Sequence, residues 1–328
     1  MVKLVVMGSN SFSGASFIDY SLSQGAEMIG ISRSAESIEA FLPYKWRSHE
    51  KFYFHQLDLN QHLPAIMGLI KEFQPDYVIN FAAQSMVAES WRTPADWFMT
   101  NVVSTIKLHD ELRHCDFLKR YVHVSTPEVY GSCSGFVKED YAFNPSTPYA
   151  VSRAAADLSL RTFHRAYQFP VVTTRAANVY GPGQQLYRLI PRTILFILLG
   201  KKLQLHGGGV STRSFIHMKD VSEATWRLME KGAAGATYHI STEEIVSIRE
   251  LVERICQKLD VRFEDYVEVV GERLGKDAAY QLDSGKLRQE LSWKDQVILD
   301  QGLDDCIKWI HRHFDALKAQ PYDYIHKP

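Results

Sequence analysis

Between Ser125 and Arg153 the chain carries a hydroxyl (Thr126), a carboxylate (Glu128), a phenol (Tyr149) and a permanent cation (Arg153), in the two runs STPEVYG and PYAVSRAAAD. The first run follows RYVHVS, an apolar, β-branched stretch from Arg120 to Ser125 that reads as a buried strand. In an open parallel sheet ligands collect where strands end, so Thr126 and Glu128 fall at the rim of a cleft. In the second run Pro148 stands where proline starts a helix, which puts Tyr149 and Arg153 at i and i+4 on one helical face. A tyrosine beside a fixed positive charge has a lowered pKa and can act as a base near neutral pH. The same spacing also suits a plain surface contact, and the catalytic reading rests on a nucleotide fold upstream.

That fold begins at once. Lys3 to Met7 is a short apolar strand, Gly8-Ser-Asn-Ser-Phe-Ser-Gly14 follows, and Ala15 to Leu22 is amphipathic. Strand, glycine turn and helix in that order open a dinucleotide fold, whose helix N-terminus offers backbone amides to a pyrophosphate. Gly8, Ser11, Phe12 and Gly14 are therefore candidate cofactor residues, with Ser11 where a GxxGxxG spacing has its middle glycine. Glu27 to Ser32 is a second strand ending in Ser32-Arg33-Ser34, with no acid before Glu36. An acid there grips the ribose of NAD, whereas an arginine accommodates the 2′-phosphate of NADP, so both cofactors stay open. Phe52 to Leu57 is a third strand, with Asp58 and Leu59 at its end beside an adenine position. Asp76 to Phe81 is a fourth, and the small residues Ala82 and Ala83 after it let a cofactor lie close to the backbone. Helices over His62 to Phe73 and Pro94 to His114, a fifth strand to Ser125 and a sixth over Pro170 to Arg175 complete the alternation.

The pattern predicts an α/β fold: a Rossmann-type doubly wound parallel sheet with a smaller C-terminal α/β substrate-binding lobe. The division is placed at residues 1–178 for an NAD(P)-binding domain and 179–328 for the lobe, with the chain free to cross between them. The turn Asn178-Val-Tyr-Gly-Pro182 marks the change, and the closing PYDYIHKP is expected to be loosely ordered.

Composition narrows the classes. Lysine plus arginine (37) and aspartate plus glutamate (38) nearly cancel, so no charge excess calls for nucleic acid or an anionic membrane. Cys115, Cys133, Cys256 and Cys306 form no CxxC pair, which argues against a disulfide scaffold and a metal site. The opening MVKLVVMG lacks the layout of a signal peptide, and the most apolar run, Leu189 to Leu199, is too short to span a bilayer and contains Arg192. A cytoplasmic protein without a membrane segment is expected.

Together these motifs resemble the extended short-chain dehydrogenase/reductase family, and within it the nucleotide-sugar 4,6-dehydratases, over nearly the whole chain. The resemblance is carried by the glycine turn, Phe81-Ala-Ala-Gln-Ser85, Ser125-Thr-Pro-Glu-Val-Tyr-Gly131, Tyr149-Ala-Val-Ser-Arg153, Asn178-Val-Tyr-Gly-Pro182, Leu189-Ile-Pro191, Arg213 to Asp220 and Arg273-Leu-Gly-Lys-Asp277. It implies that Tyr149 removes the sugar 4-hydroxyl proton, that Thr126 hydrogen-bonds the same oxygen, and that Glu128 removes the C5 proton. It implies that Tyr149 and Arg153 also meet the cofactor, and that Ser85, Asn178, Arg188, Arg213 and Arg273 hold a nucleoside-diphosphate sugar, arginine being suited to phosphate oxygens. A homodimer is implied too, formed by the Pro94 to His114 and Tyr149 to Tyr167 helices, with Ala154, Ala155, Ala156 and Leu160 as a small apolar face for close packing.

Three positions depart from the pattern. Arg153 replaces the lysine that follows the family's tyrosine, Ser11 replaces a glycine, and Pro127 stands where a 4,6-dehydratase has an aspartate to protonate the leaving hydroxyl. Either Glu128 shuttles its proton to that oxygen, or water does, or the reaction differs. A nucleotide-sugar 4-epimerase needs no carboxylate at position 128, a UDP-glucuronate decarboxylase carries threonine and glutamate in this spacing, and a non-catalytic nucleotide-binding protein would also tolerate the three changes.

Overall fold

The computed structural model describes residues 1–133, 135–271 and 281–327. Its centre is a seven-stranded, wholly parallel sheet formed by β1 (Lys3–Met7), β2 (Glu27–Ser32), β3 (Phe52–Gln56), β4 (Tyr77–Asn80), β5 (Arg120–Val124), β6 (Val171–Ala176) and β7 (Thr237–Ile240). Their order across the sheet is β7-β6-β5-β4-β1-β2-β3. Connections run outward in both directions from β1 and β4, which makes the gap beyond the carboxyl ends of those two strands the topological switch point.

The sequence dictates this because the strands are apolar on both sides. Val5 and Met7 pack with Ile29, Ile66 and Ile70 on one face, and Leu4 and Val6 pack with Ala15, Phe17 and Ile18 on the other. Only helices over both faces can cover such strands. On one side lie α1 (Phe12–Ser23) and α7 (Met218–Lys231). On the other lie α2 (Leu63–Phe73), the run of α3 (Pro94–Phe98) and α4 (Thr105–Leu112), and α5 (Pro148–Tyr167). A six-residue π-helical segment, Met99–Ser104, joins α3 to α4, so the long helix expected from sequence is phased differently before and after it.

Past β6 the chain enters a second core built on α6 (Leu189–Leu198), Ile248–Lys258 and Leu299–Arg312, where Ile194, Leu251, Ile255, Leu303 and Ile310 are fully buried. It then returns, because β7 pairs with β6 and α7 packs on α1. Ala154, Ala156 and Leu160 face this chain's own interior, so the small apolar face expected to meet a partner is used internally; Val151 and Leu158 of α5 face outward. The closing segment is not loose. Tyr322, Tyr324 and His326 point inward and alternate with exposed Pro321, Asp323, Ile325 and Lys327, the two-residue period of extended chain.

Candidate active site

Gly8 ends β1 at φ +77°, and a Cβ there would lie 2.6 Å from the amide nitrogen of Ala82, so the first turn and the loop after β4 touch backbone to backbone. At Gly14 a Cβ would lie 2.3 Å from the Gly8 carbonyl oxygen, so helix α1 can approach its strand only with glycine here. Ser11 is the N-cap of α1; its Oγ donates to the Gly8 carbonyl (2.7 Å) and accepts from the Gly14 amide (3.0 Å). A side-chain cap thus does locally what a glycine would leave to a ligand.

Gly8, Ser11 and Ala82 belong to one wall of a cavity of about 450 Å³ at the switch point. Gly8, Ser11, Arg33, Asp58, Leu59, Ala82 and Ala83, all expected from sequence, line it. Phe12, Gly14, Tyr149 and Arg153, also expected at the cofactor, do not line it; the Phe12 ring is buried with Val172, Ile216 and Leu228. Asn10, Ser32, Asn60 and Tyr187 were not expected and line it too. Asn10 donates to the carbonyls of Ser34 (2.8 Å) and Ala35 (3.0 Å), holding the loop after β2 open. Glu36, the first acid after β2, is engaged elsewhere by Tyr44 (2.9 Å) and Lys45 (2.7 Å). The cradle fits an extended dinucleotide: a glycine turn against backbone, polar residues at the β2 and β3 ends, and small residues after β4.

The phenol cluster adjoins this groove. Thr147 caps α5 through its Oγ1, which accepts from the Ala150 amide (3.1 Å), and Pro148 occupies the first turn. Thr126 caps the turn Pro127–Tyr130, accepting from the Glu128 amide (3.2 Å), which fixes both its own hydroxyl and Glu128 beyond the end of β5. The Thr126 hydroxyl lies close enough to the Tyr149 phenol to lower its pKa, and Glu128, Arg153 and Arg188 all act on the phenol by charge. Pro127 is buried behind them. The π segment turns Asn101 inward, where it accepts from the Gln84 amide (2.9 Å) and donates to Ser152 Oγ (2.9 Å), and Ser152 in turn donates to the Tyr149 carbonyl (2.7 Å). The groove and α5 are thereby tied together.

The lowered pKa expected for Tyr149 is not found. Burial raises it, and the opposing pull of Arg153 and of the Thr126 hydroxyl does not compensate. Part of the reason is where Arg153 points. It is 2% exposed, and its Nη2 donates to the Val124 carbonyl and lies 3.3 Å from His123 Nε2, under the sheet end.

There it meets a buried polar layer that sequence reading did not anticipate. Asp157 Oδ2 accepts from Arg175 Nη2 (2.6 Å) and Ser125 Oγ (2.8 Å), and Oδ1 lies 3.4 Å from His123 Nε2. Burial alone would raise the Asp157 pKa, but the Arg175 guanidinium and His123 outweigh it and hold the carboxyl well below the usual range. Arg175 also donates to the Tyr130 hydroxyl. Tyr130 pairs with His239 Nε2 (2.7 Å), whose Nδ1 faces the Val137 carbonyl (3.1 Å). Carbonyls only accept, so Nδ1 carries the proton, Nε2 accepts from Tyr130, and His239 is neutral, its pKa pushed down to about 3 chiefly by burial. The available signal was the stripe Tyr149, Arg153, Asp157 at i, i+4 and i+8 on α5.

The remaining expected substrate residues among those described do not line the cavity. Asn178 and Arg213 are half-buried, on the short strands Asn178–Tyr180 and Thr212–Arg213; Arg188, the N-cap of α6, is exposed with its guanidinium 5.3 Å from the Tyr187 ring; Ser85 is exposed in the loop after β4. Asp220 accepts from the Gln296 and Val297 amides (3.0 Å each). Arg273 and the motif through Asp277 lie outside the described residues. Among the described residues no cluster of histidine, cysteine and carboxylate side chains could hold a metal, and no helix is long and apolar enough to cross a membrane.

A dinucleotide cradle at the switch point of a doubly wound sheet, beside a Tyr–Thr–Glu cluster, defines an extended short-chain dehydrogenase/reductase. A family model described as GDP-mannose 4,6 dehydratase matches residues 5–306, and the chain belongs to that family. It is 31% identical to a dTDP-glucose 4,6-dehydratase of Haemophilus influenzae, over 94% of this chain and 98% of the relative. Among solved structures it is similar to a dTDP-glucose 4,6-dehydratase of Streptomyces venezuelae with NAD bound (30% identity, TM-score 0.89, 96% of this chain and 98% of that one). It is also similar to a UDP-glucuronic acid 4-epimerase of Bacillus cereus in complex with UDP-glucuronic acid and NAD (26%, TM-score 0.84, 95% and 99%).

Proposed function

We propose that this protein is an NAD-dependent nucleotide-sugar 4,6-dehydratase acting on a nucleoside-diphosphate hexose. The observation that carries the reading is Glu128, capped in place by Thr126 beside Tyr149. An epimerase has no use for a carboxylate there. NAD is the cofactor named with the Streptomyces relative, and in this chain Gly8, Ser11, Asp58, Leu59, Ala82 and Ala83 would hold it, with Arg33 at the adenosine end. When bound, its nicotinamide takes the hydride from sugar C4 and returns one at C6, ending unchanged.

Everything else falls to side chains of this chain. Tyr149, sharing the 4-hydroxyl with Thr126, accepts its proton as the C4 carbonyl forms. That carbonyl acidifies C5–H, and Glu128 removes the C5 proton. The C6–O bond then breaks, and the new double bond lies between C5 and C6. Pro127 has no proton to give, so we assign to Glu128 the delivery of its newly acquired proton to the departing oxygen, which leaves as water; Glu128 then takes a proton from solvent and passes it to C5 as the hydride reaches C6, and Tyr149 returns its proton to solvent. Arg188, Arg213, Asn178 and Ser85 surround the diphosphate and sugar, and Arg273 is kept as a further phosphate ligand. Arg153, turned toward β5, acts on Tyr149 through its charge.

The test is product mass after incubation with dTDP-, UDP-, GDP- and CDP-sugars, hexoses and a glucuronate among them. Loss of one water supports the proposal; an isomer of unchanged mass, or loss of carbon dioxide from a glucuronate, replaces it with epimerase or decarboxylase, and no change with bound NAD replaces it with a binding protein. In heavy water the product should carry deuterium at C5. Glu128→Gln should lower both water loss and that incorporation by about 10²- to 10⁴-fold, the range for removing a positioned acid–base group.

We further propose a cytoplasmic homodimer, with residues 1–178 as the cofactor-binding part and 179–328 as the sugar-nucleotide lobe. What supports the dimer is a patch of exposed apolar side chains on adjacent helical surfaces: Phe98 (37%), Met99 (47%) and Val103 (40%) from the 94–112 run, with Val151 (40%) and Leu158 (49%) from α5. A twofold contact of these helices would cover it. The double variant Val151→Asp, Leu158→Asp should elute at the mass of a single chain in light-scattering chromatography, while a dimer of unchanged stability would point to another surface.

A further inference from the structure

The cofactor groove has a second wall. Opposite the glycine turn it is closed by the extended segment 320–327, of which Asp323, Tyr324, Ile325 and Lys327 face the cavity shared with Gly8 and Arg33. The segment spans the two halves of the molecule and is fastened at both ends. On the C-terminal side Arg192 of α6 donates to the Tyr322 carbonyl and to Asp323 Oδ1 (2.6 Å), and the Tyr322 ring packs edge-on against Phe196 at 5.6 Å. In the middle Tyr324 stands edge-on to Tyr187 at 5.4 Å. On the sheet side His326 stacks on the buried Trp97 ring (4.9 Å, 15° between planes) and meets Asp96 Oδ2 at 2.8 Å. The Lys327 carbonyl accepts from Gln84 Nε2 (2.7 Å), in the loop that also receives Asn101.

We propose that residues 322–327 are part of the dinucleotide site: a strap laid over the adenosine half of NAD that must undock before the cofactor can leave. The inference rests on the NAD-dependent reading above. Its chemistry agrees with that reading, because a cofactor that is oxidant and then reductant within one turnover has no need to exchange, and losing it midway would strand a keto sugar. The fastenings suit a wall that opens occasionally. The aromatic contacts are buried on one side only, and the Arg192–Asp323 ion pair is open to solvent, with Asp323 93% exposed, so each is individually weak. Undocking is local and leaves both cores intact.

The experiment measures the cofactor and not turnover. Protein stripped of nucleotide is loaded with NAD labelled in the adenine ring and chased with excess unlabelled NAD, and affinity is measured by calorimetry. Two variants release opposite ends of the strap: Tyr324→Ala with His326→Ala, and Arg192→Ala, which lies away from the groove lining. Thermal melts establish that each is folded. Both should lose NAD about tenfold faster than the parent, with a weaker Kd, the size expected when an aromatic contact and an exposed ion pair are lost together. Unchanged release in both variants overturns the strap. Tighter binding in the variants, or binding in them but not in the parent, overturns it too, because the segment would then exclude the cofactor. If neither parent nor variants bind NAD, the dinucleotide reading of the groove falls and the strap falls with it.

Discussion

Replacing Tyr149 by phenylalanine should reduce turnover of the nucleotide sugar by about 10³-fold or more while leaving its binding within a few-fold, because only the proton acceptor is lost and the ring still fills its buried site. The pH profile distinguishes this from a packing effect. Burial holds the Tyr149 phenol above its ordinary pKa, so the ionised form grows toward alkaline pH and kcat/KM of the parent should rise in that direction. The residual activity of Tyr149→Phe should lack that limb. A profile of unchanged shape would remove Tyr149 from the role of base.

The second large effect is on stability. Asp157→Ala would leave Arg175, which is fully buried, without its carboxylate, and would strip Ser125 of its acceptor. Removing one partner of a buried ion pair costs about 3–5 kcal/mol, several times the usual surface substitution. Urea unfolding should show the midpoint falling with little change in m. Asp157→Asn keeps an acceptor and should fall between the two. The pH dependence follows from sign: the folded pKa lies below the unfolded one, so this contribution is complete above the ordinary carboxylate range and is lost only as pH drops through the depressed folded value. A midpoint for Asp157→Ala within experimental error of the parent would show that the layer carries no such load.

Much of this molecule was legible in its sequence, and the reasons are local. The strands announce themselves by apolar β-branched runs, Gly8 and Gly14 by a glycine turn between strand and helix, and the start of α5 by Pro148. Thr126, Glu128 and Tyr149 were found because their spacing fixes them to one strand end and one helix face. What escaped depends on tertiary partners. The direction of Arg153 is set by His123 and the Val124 carbonyl, and the sign of the Tyr149 shift by how deeply the helix packs. Asn101 reaches Gln84 only through a π segment that no periodicity predicts. The closing strap reads as loose polar chain because its aromatic residues alternate over too few positions to signal docking.

The return of the chain to the sheet at β7 bears on biosynthesis. Until residue 240 has been made, β6 is an edge strand with unpaired amides and carbonyls, and Tyr130 lacks His239. The first six strands therefore cannot complete their sheet as they emerge, and β6 must wait with an open edge until Thr237–Ile240 has been made. A fragment stopped at residue 178 should aggregate where one extended through β7 and its covering helices stays dispersed, so the unit that folds is larger than the unit that binds.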